Sequence, residues 1–208
     1  MKVLLIDDHP IVRAGCRRLL EQTGRIDVTE AQSGAEALEL LPVCGPDVII
    51  LDLNLPDASG LDLLQTLRAQ IEGARVLVFS MHEDPVFAAR ALELGARGYV
   101  TKNDDPETIV EALDRVAAGE VFLSHNMAQR VALMGLKVGD NPLHRLTHRE
   151  IEVLRLLGQG KSLSEIADQL NVSYRTAANI QTQIKNKLNV GTTSKLIRIA
   201  IEFSAARM

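Results

Sequence analysis

The first 122 residues alternate between short apolar runs and segments with a helical pattern, and this alternation restricts the fold more than any other feature of the sequence. The strand candidates lie at 3–6, 26–31, 47–51, 76–79 and 97–101. The helical segments begin at recognisable caps, such as Ser33 with Glu36 three residues later, or Asp84 directly before Pro85. Strands that alternate with helices form a parallel sheet with helices on both faces. The sequence therefore predicts a doubly wound α/β domain with a five-stranded parallel sheet.

Beyond residue 124 the strand signal disappears and the remaining pattern is helical. Clear helix starts are found at Thr147 with Glu150, at Ser162 with Glu165, and at Ser173. The segment KVGDNPLHR at 137–145 has the composition of a linker. We therefore predict an α/β domain at 1–122, a linker at 123–144 and an all-α domain at 145–208.

The net charge of −4 conceals a difference between the two predicted domains. Residues 1–122 contain 11 Lys and Arg against 21 Asp and Glu, whereas residues 144–208 contain 10 against 5. An acidic first domain and a basic second domain indicate different partners, and the basic one favours a polyanion.

The composition argues against several classes of protein. The apolar runs are too short to span a bilayer, and the pattern of a signal peptide is missing at the N-terminus. Cys16 and Cys44 lack metal-ligand spacing, which indicates free thiols in a reducing compartment. Trp is absent and aromatic residues amount to 3%, so no platform for stacking single-stranded bases is visible. We expect a cytoplasmic protein without a membrane partner.

Polar side chains follow the predicted strands where these strands end. They are Asp7, Asp8, Asp52, Ser80, Thr101 and Lys102. Because ligands of doubly wound sheets bind beyond the carboxyl ends of the strands, we expect these side chains to converge. Clustered carboxylates suit Mg²⁺, and a lysine beside them suits phosphate oxygens. Taken alone, Asp8 has an alternative role as the cap of the helix that Pro10 opens.

Four segments resemble the receiver domain of bacterial two-component response regulators. They are DDHP at 7–10, ILDLNLPDASG at 50–60, FSMHE at 79–83 and GYVTK at 98–102. The resemblance covers roughly residues 1–120 and implies a flavodoxin-like fold. It implies that Asp52 accepts a phosphoryl group from a sensor histidine kinase. It also implies a Mg²⁺ ion bound by Asp8, Asp52 and the backbone carbonyl of Asn54, with Asp7 supporting the site.

The same resemblance assigns further roles around Asp52. Ser80 and Lys102 are expected to contact the phosphoryl oxygens, and Tyr99 matches the aromatic residue whose rotamer reports the phosphorylated state. Asn54 and His82 match the positions that tune the lifetime of the phosphate. The chain is then no enzyme beyond Mg²⁺-dependent phosphorylation and dephosphorylation of its own aspartate. An aspartyl-phosphate hydrolase is disfavoured, because its general acid would stand where this chain has Asn54.

Residues 145–203 resemble the LuxR-type helix-turn-helix domain of the NarL/FixJ subfamily. The matching segments are LTHRE at 146–150, EVLRLL at 152–157, EIADQL at 165–170, VSYRT at 172–176 and KL at 187–188. In this family the second helix of the motif enters the major groove of DNA. Helical periodicity predicts an inner side formed by Ala177, Ile180, Ile184 and Leu188. The predicted DNA contacts are Arg175, Asn179, Thr182, Gln183 and Asn186, flanked by Lys185 and Lys187.

The helix expected to enter the groove departs from the subfamily at two positions. Ala178 and Ile180 stand where the subfamily usually has lysine and histidine. Fewer cations weaken the salt-dependent part of affinity, so we expect weak DNA binding by the monomer and a base readout led by amides. Additional phosphate contacts are expected from Lys161, Lys195 and Arg198.

The sequence thus predicts a transcriptional regulator that is switched by phosphorylation of Asp52. The expected response is release of the basic domain and formation of a homodimer on double-stranded DNA. The alternative is an adaptor that has lost DNA binding and acts through protein contacts. Ala178 and Ile180 are the residues that favour this alternative.

Overall fold

The protein forms two compact units, Met1–Lys137 and Val138–Met208. The computed structural model describes residues 1–71, 73–136 and 146–205, with the side chains at 135–136, 148 and 203–205 left undescribed. Of the linker predicted at 123–144, residues 123–136 form the end of a strand and a helix. The rest of that linker, Arg145 and residues 206–208 lie outside the described residues.

A parallel sheet is the centre of the first unit. Its strands are β1 (Lys2–Ile6), β2 (Asp27–Ala31), β3 (Val48–Leu51), β4 (Val76–Ser80), β5 (Gly98–Thr101) and β6 (Phe122–Leu123), in the order β2-β1-β3-β4-β5-β6. The prediction of five strands was therefore one strand short. β6 pairs with β5 through Gly98 opposite Phe122 and Tyr99 opposite Leu123. A strand of two residues is too short to produce a periodic signal in the sequence.

Six helices connect or follow these strands. They are α1 (Pro10–Glu21), α2 (Gly34–Cys44), α3 (Gly60–Gln70), α4 (Pro85–Glu93), α5 (Thr108–Ala117) and α6 (His125–Leu136). Ser33 caps α2 by accepting the Glu36 N–H, and Asp84 caps α4 by accepting the Val86 N–H. Ser59 is the N-cap residue of α3, but its side chain makes no capping hydrogen bond.

The order of the strands determines where a ligand can bind. β1 lies between β2 and β3. The chain adds β2 on one side of β1 and all later strands on the other side, so the strand order reverses between β1 and β3. In sheets of this order, the crevice beyond the carboxyl ends of these two strands binds ligands. All residues of β3 and the last four of β1 are buried, as expected for strands covered on both faces. This apolar core holds the crevice in a fixed position.

The second unit is helical throughout its described residues. Its helices are α7 (His148–Gly158), α8 (Leu163–Gln169), α9 (Tyr174–Lys187) and α10 (Thr193–Ala205). Both predicted capping boxes are formed, at Thr147 with Glu150 and at Ser162 with Glu165, and Ser173 accepts the Thr176 N–H. α7 packs against α9 and α10, and α8 packs against α9. None of the described helices of the chain combines the length and the apolar character needed to cross a membrane.

Candidate phosphoacceptor site and nucleic-acid interface

Three carboxylates meet at the carboxyl ends of β1 and β3. Asp7 and Asp8 follow β1, and Asp52 follows β3. The side chains of Asp7 and Asp52 are each only 1% exposed, whereas that of Asp8 is 33% exposed. Burial of two carboxylates costs free energy unless a cation compensates them, so this edge of the sheet requires a nearby positive charge.

Lys102 supplies that charge from the end of β5. Its Nζ lies 2.6 Å from Asp52 Oδ2 and 2.6 Å from Asp7 Oδ2, and its side chain is 4% exposed. Burial raises the pKa of Asp52, and the ammonium group of Lys102 reduces this effect without cancelling it. Burial also opposes the charge on Lys102, but Asp52 and Asp7 outweigh it and raise the pKa of the lysine. The two carboxylates therefore stabilise the charged form of Lys102, and the lysine in turn offsets part of the cost of burying Asp52.

The donor atoms around these acids fit a hard divalent cation. One ligand atom each from Asp7, Asp8, His9 and Asp52 lies within 4.8 Å of the others. Carboxylate oxygens, two of them from buried groups, are the ligands that Mg²⁺ prefers. Sequence reasoning did not include His9, whose Nδ1 lies 2.7 Å from Asp8 Oδ1. His9 is the N-cap residue of α1, and its side chain makes no capping hydrogen bond. The alternative role of Asp8 as the cap of this helix is therefore wrong.

The loop after Asp52 is held close to β3. The Asn54 N–H donates to Asp52 Oδ1 at 3.2 Å, and Asn54 forms a bridge with Ser59 across the loop. Gly60 begins α3 so close to the strand that an added Cβ would lie 2.4 Å from Leu53 Cα and 2.6 Å from the Asp52 carbonyl oxygen. Only glycine permits this approach. The loop thus places the Asn54 backbone beside the carboxylates.

Asp57 ties the same loop to α2, a contact that sequence reasoning did not identify. Its two carboxylate oxygens accept the N–H groups of Gly34 and Ala35, at 3.0 and 2.9 Å. Partial burial opposes ionisation, but these two hydrogen bonds outweigh it and lower the pKa of Asp57. An acidic residue in a loop gives no signal in the sequence that it caps a distant helix.

A second set of contacts connects the loop to β4 and β5. His82 Nε2 lies 3.0 Å from Asn54 Oδ1, and the His82 N–H donates to Ser80 Oγ at 3.3 Å. Tyr99 is fully buried, and its hydroxyl donates to the His82 carbonyl oxygen at 2.8 Å. The His82 ring also stacks on Phe87 of α4, with ring centroids 4.2 Å apart. Burial raises the pKa of Tyr99 above its ordinary value, so the phenol stays protonated.

The polar face predicted on α9 is exposed. All five residues of the predicted reading face are open to solvent: Arg175, Asn179, Thr182, Gln183 and Asn186. On the opposite side Ala177, Ile184 and Leu188 are buried. The predicted inner side is wrong at one position, because Gln181 is buried and Ile180 is only partly buried. At 100° per residue, Gln181 lies beside Leu188 on the inner side of the helix, and its polarity concealed this from the apolar pattern.

The cations near this face differ in their availability. Lys187 donates to Oε2 of the buried Glu150 at 2.7 Å, so it holds α9 on the capping box of α7. Its predicted DNA contact therefore competes with an internal ion pair. Lys185 is partly buried, and Lys195 is exposed. Lys161 and Arg198 have weak exposed pairs, with Glu165 at 3.5 Å and Glu202 at 3.8 Å.

Comparison with known proteins identifies both units. Residues 3–114 match the response regulator receiver domain, and residues 144–200 match the luxR family of bacterial regulatory proteins. The chain belongs to the LuxR-type response regulators. The domain combination is that of the NarL/FixJ subfamily, with a receiver sheet followed by a helical helix-turn-helix domain.

Similar full-length proteins support this membership. The transcriptional activator protein ExaE of Pseudomonas putida is 37% identical, over 100% of this chain and 99% of the relative. A nitrate/nitrite response regulator protein homolog of Haemophilus influenzae is 40% identical, over 91% of each chain. Among solved structures, RcsB of Salmonella enterica serovar Typhimurium bound to promoter rprA has a TM-score of 0.66 at 28% identity, and the match covers 95% of this chain and 96% of RcsB.

The family assignment decides between the two predicted functions. This LuxR-type response regulator is a DNA-binding regulator of transcription, and no comparison favours the adaptor. It belongs to a family of regulators rather than to one of the enzyme families.

Proposed function

We propose that a sensor histidine kinase phosphorylates this regulator on Asp52 and that the phosphoryl group controls its binding to DNA. The observation that carries the proposal is the position of Lys102 Nζ, 2.6 Å from both Asp52 and Asp7 at the switch point of the sheet. A buried lysine held by two carboxylates is ready to neutralise an added anionic group. In this proposal a receiver domain at 1–122 receives the signal, a linker at 123–144 follows, and the domain at 145–208 binds DNA.

The chemical step is a phosphoryl transfer between two protein side chains. A carboxylate oxygen of Asp52 attacks the phosphorus of a phosphohistidine, the N–P bond breaks, and an acyl phosphate forms. Lys102 then neutralises charge on the phosphoryl oxygens, and the Ser80 hydroxyl donates a hydrogen bond to one of them. Such a reaction depends on positioning and electrostatic stabilisation more than on acid–base chemistry.

Asp8, Asp52 and the backbone carbonyl of Asn54 would hold Mg²⁺, with Asp7 supporting the site. The ion supplies charge neutralisation for the entering phosphoryl group. The carboxylate oxygens grouped within 4.8 Å and the Asn54 loop that is tied to Asp52 support this assignment. Asn54 and His82, hydrogen-bonded at 3.0 Å, are placed to tune the lifetime of the phosphate through access of water.

Phosphorylation changes the contacts of Tyr99 in this proposal. When Ser80 turns towards the phosphoryl group, Tyr99 repacks, and the surface around α4 and β5 changes. The basic domain is released and two chains associate as a homodimer. Two copies of α9 then address two half-sites of double-stranded DNA in the cytoplasm, through Arg175, Asn179, Thr182, Gln183 and Asn186, with Lys185 at the flank.

The test uses the purified full-length chain with a small-molecule phosphodonor and Mg²⁺. We expect each chain to incorporate one phosphoryl group, detected by intact-mass spectrometry. We also expect the phosphorylated chain to sediment as a dimer and the untreated chain as a monomer. In a genome-wide selection of DNA fragments, only the protein treated with phosphodonor should enrich fragments that contain specific sites. Omission of Mg²⁺ should remove phosphoryl incorporation.

Asp52→Asn is the matched control, because the amide keeps the shape of the carboxylate and cannot form an acyl phosphate. It should show no phosphoryl incorporation and no phosphodonor-dependent enrichment. An unchanged oligomeric state and DNA affinity after full phosphorylation of the wild-type chain would refute the switch. Full incorporation in Asp52→Asn would refute the assignment of the acceptor.

A further inference from the structure

One ridge of α9 presents apolar groups at the edge of the polar reading face and shares Thr182 with that face. Tyr174, Ala178 and Thr182 stand at i, i+4 and i+8, so they follow one another along the helix surface. Tyr174 is 60% exposed, an unusual state for the large ring at the first position of this helix. Ala178 is partly buried and Thr182 is exposed. The ridge begins at the N-terminal end of α9, the end that contacts base edges in helix-turn-helix proteins.

The hydroxyl group of Thr182 is engaged inside the helix. Its Oγ1 donates to the Ala178 carbonyl oxygen at 3.0 Å. A hydroxyl in this position has no second proton to donate, so the γ-methyl group is the part of Thr182 that is left for apolar contact. The ridge therefore offers a phenol ring, the methyl group of Ala178 and the methyl group of Thr182 in sequence.

The neighbouring ridge carries amides. Arg175, Asn179 and Gln183 also stand at i, i+4 and i+8, and all three are exposed. Asparagine and glutamine read N6 and N7 of adenine bidentately, while alanine and threonine methyl groups contact the 5-methyl group of thymine. Adenine and thymine of one base pair present these two features side by side in the major groove. The two ridges thus complement the two halves of an A·T pair.

We propose that Tyr174, Ala178 and Thr182 read thymine 5-methyl groups, so that the operator contains neighbouring A·T pairs contacted by the two ridges. The inference rests on the proposed entry of α9 into the major groove. Tyr174 and Ala178 become residues that determine base specificity. Ala178, at the position where a cation is lost, contributes an apolar contact in its place.

The test replaces thymine by deoxyuridine, which pairs identically and lacks only the 5-methyl group. The operator is first selected from random duplexes with the phosphorylated full-length chain, and each thymine in a half-site is then replaced in turn. We expect two or three replacements to weaken binding by about fourfold each, the factor that corresponds to one buried methyl group. Replacements elsewhere in the half-site should leave the dissociation constant unchanged.

Variants assign each sensitive thymine to a side chain. Thr182→Ser removes the methyl group and keeps the hydroxyl that bonds to the Ala178 carbonyl, so it should abolish the preference for thymine over deoxyuridine at one position. Tyr174→Ala should abolish it at another. Asn179→Ala is the matched control: it should change the base preference at an adenine and preserve every thymine-to-deoxyuridine ratio.

The outcomes separate this inference from the proposed function. If deoxyuridine is tolerated at every thymine while Asn179→Ala alters the selected sequence, α9 reads the groove and the methyl-reading ridge is wrong. If neither Asn179→Ala nor Thr182→Ser alters binding, the proposed entry of α9 into the groove is wrong, and so is the inference that the ridge reads thymine methyl groups. The inference would also be overturned if Thr182→Ser and Tyr174→Ala both kept the full preference for thymine over deoxyuridine. Thermal unfolding of each variant verifies that it is folded.

Discussion

The phosphoacceptor site of the first unit and the reading face of α9 in the second unit are built in opposite ways. At the sheet edge, Asp7, Asp52 and Lys102 are almost completely buried, and the lysine lies between the two carboxylates at 2.6 Å from each. On α9, Asn179 and Gln183 are exposed side chains on a helix that other residues hold in place. The first site is part of the buried core of its unit, whereas the second face is carried by a fold to which it contributes little.

This difference explains which residues can change without loss of the fold. A replacement at the sheet edge leaves a buried charge without its partner, which lowers the stability of the unit. The site and the core therefore constrain each other. A replacement of an exposed residue on the α9 face should cost little stability. DNA specificity can therefore diverge among relatives with one common scaffold. The free energy of unfolding, measured variant by variant, tests this contrast.

Lys102→Met should produce the largest loss. It leaves Asp7 and Asp52 buried without their cation, and we expect the free energy of unfolding at pH 7 to fall by about 3–5 kcal/mol. Burial already raises the pKa of Asp52, and loss of the lysine raises it further. A carboxyl group whose pKa is raised in the folded state destabilises that state as the pH rises, so the variant should recover stability as the pH falls.

Urea unfolding followed by circular dichroism at pH 7 and pH 5 measures this effect. Lys195→Met, at an exposed position of the second unit, is the control and should change stability by less than about 0.5 kcal/mol. Equal effects of the two variants would remove the claimed difference between buried and exposed charges.

Gly60→Ala should come next. The new Cβ would meet the backbone of Leu53 and Asp52 at 2.4–2.6 Å, so the loop must move, at a cost of about 2 kcal/mol. The displaced loop should also slow phosphorylation. Gly15→Ala is the matched control, because a Cβ there meets nothing within 4 Å and alanine favours the helix, which should stabilise the unit by up to about 1 kcal/mol. Identical unfolding curves for the two variants would contradict the packing argument.

Lys187→Met tests whether this lysine serves the fold or the DNA. It leaves Glu150 buried without the ammonium group, but Lys187 is itself 37% exposed, so we expect a loss of about 1–2 kcal/mol. The dependence of DNA affinity on salt should stay unchanged. Lys185→Met, if Lys185 contacts a phosphate, should instead reduce the slope of log affinity against log salt by about one. A reduced slope in Lys187→Met would show that the lysine leaves Glu150 for the DNA.

Asn179→Ala should have the smallest effect on stability and a clear effect on specificity. The free energy of unfolding should change by less than about 0.5 kcal/mol, while discrimination at one base pair falls by about 1–3 kcal/mol. Gln181→Ala is the matched control on the same helix, since Gln181 is buried and faces inwards. It should lower stability and preserve the selected sequence. The reverse pattern in the two variants would mean that the reading face has been placed on the wrong side of α9.

Local patterns in the sequence predicted much of the fold. The alternation of strands and helices, the caps at Ser33, Thr147 and Ser162, and the order of the polar strand ends are properties of neighbouring residues, so they could be read directly. β6 was missed because two residues show no periodicity. Gln181 was missed because a buried polar residue contradicts the hydrophobic pattern on which the prediction of the inner side depends.

The sequence by itself determined that three carboxylates and a lysine follow the ends of predicted parallel strands, and that a polar stripe lies opposite an apolar one on α9. Only the tertiary structure decided that Lys102 pairs with Asp7 and Asp52 together, that Asp57 binds the N-terminus of α2, and that Lys187 pairs with Glu150. Each of these contacts joins residues more than 20 positions apart. Their geometry depends on the packing of whole helices and strands, and local periodicity carries no information about that packing.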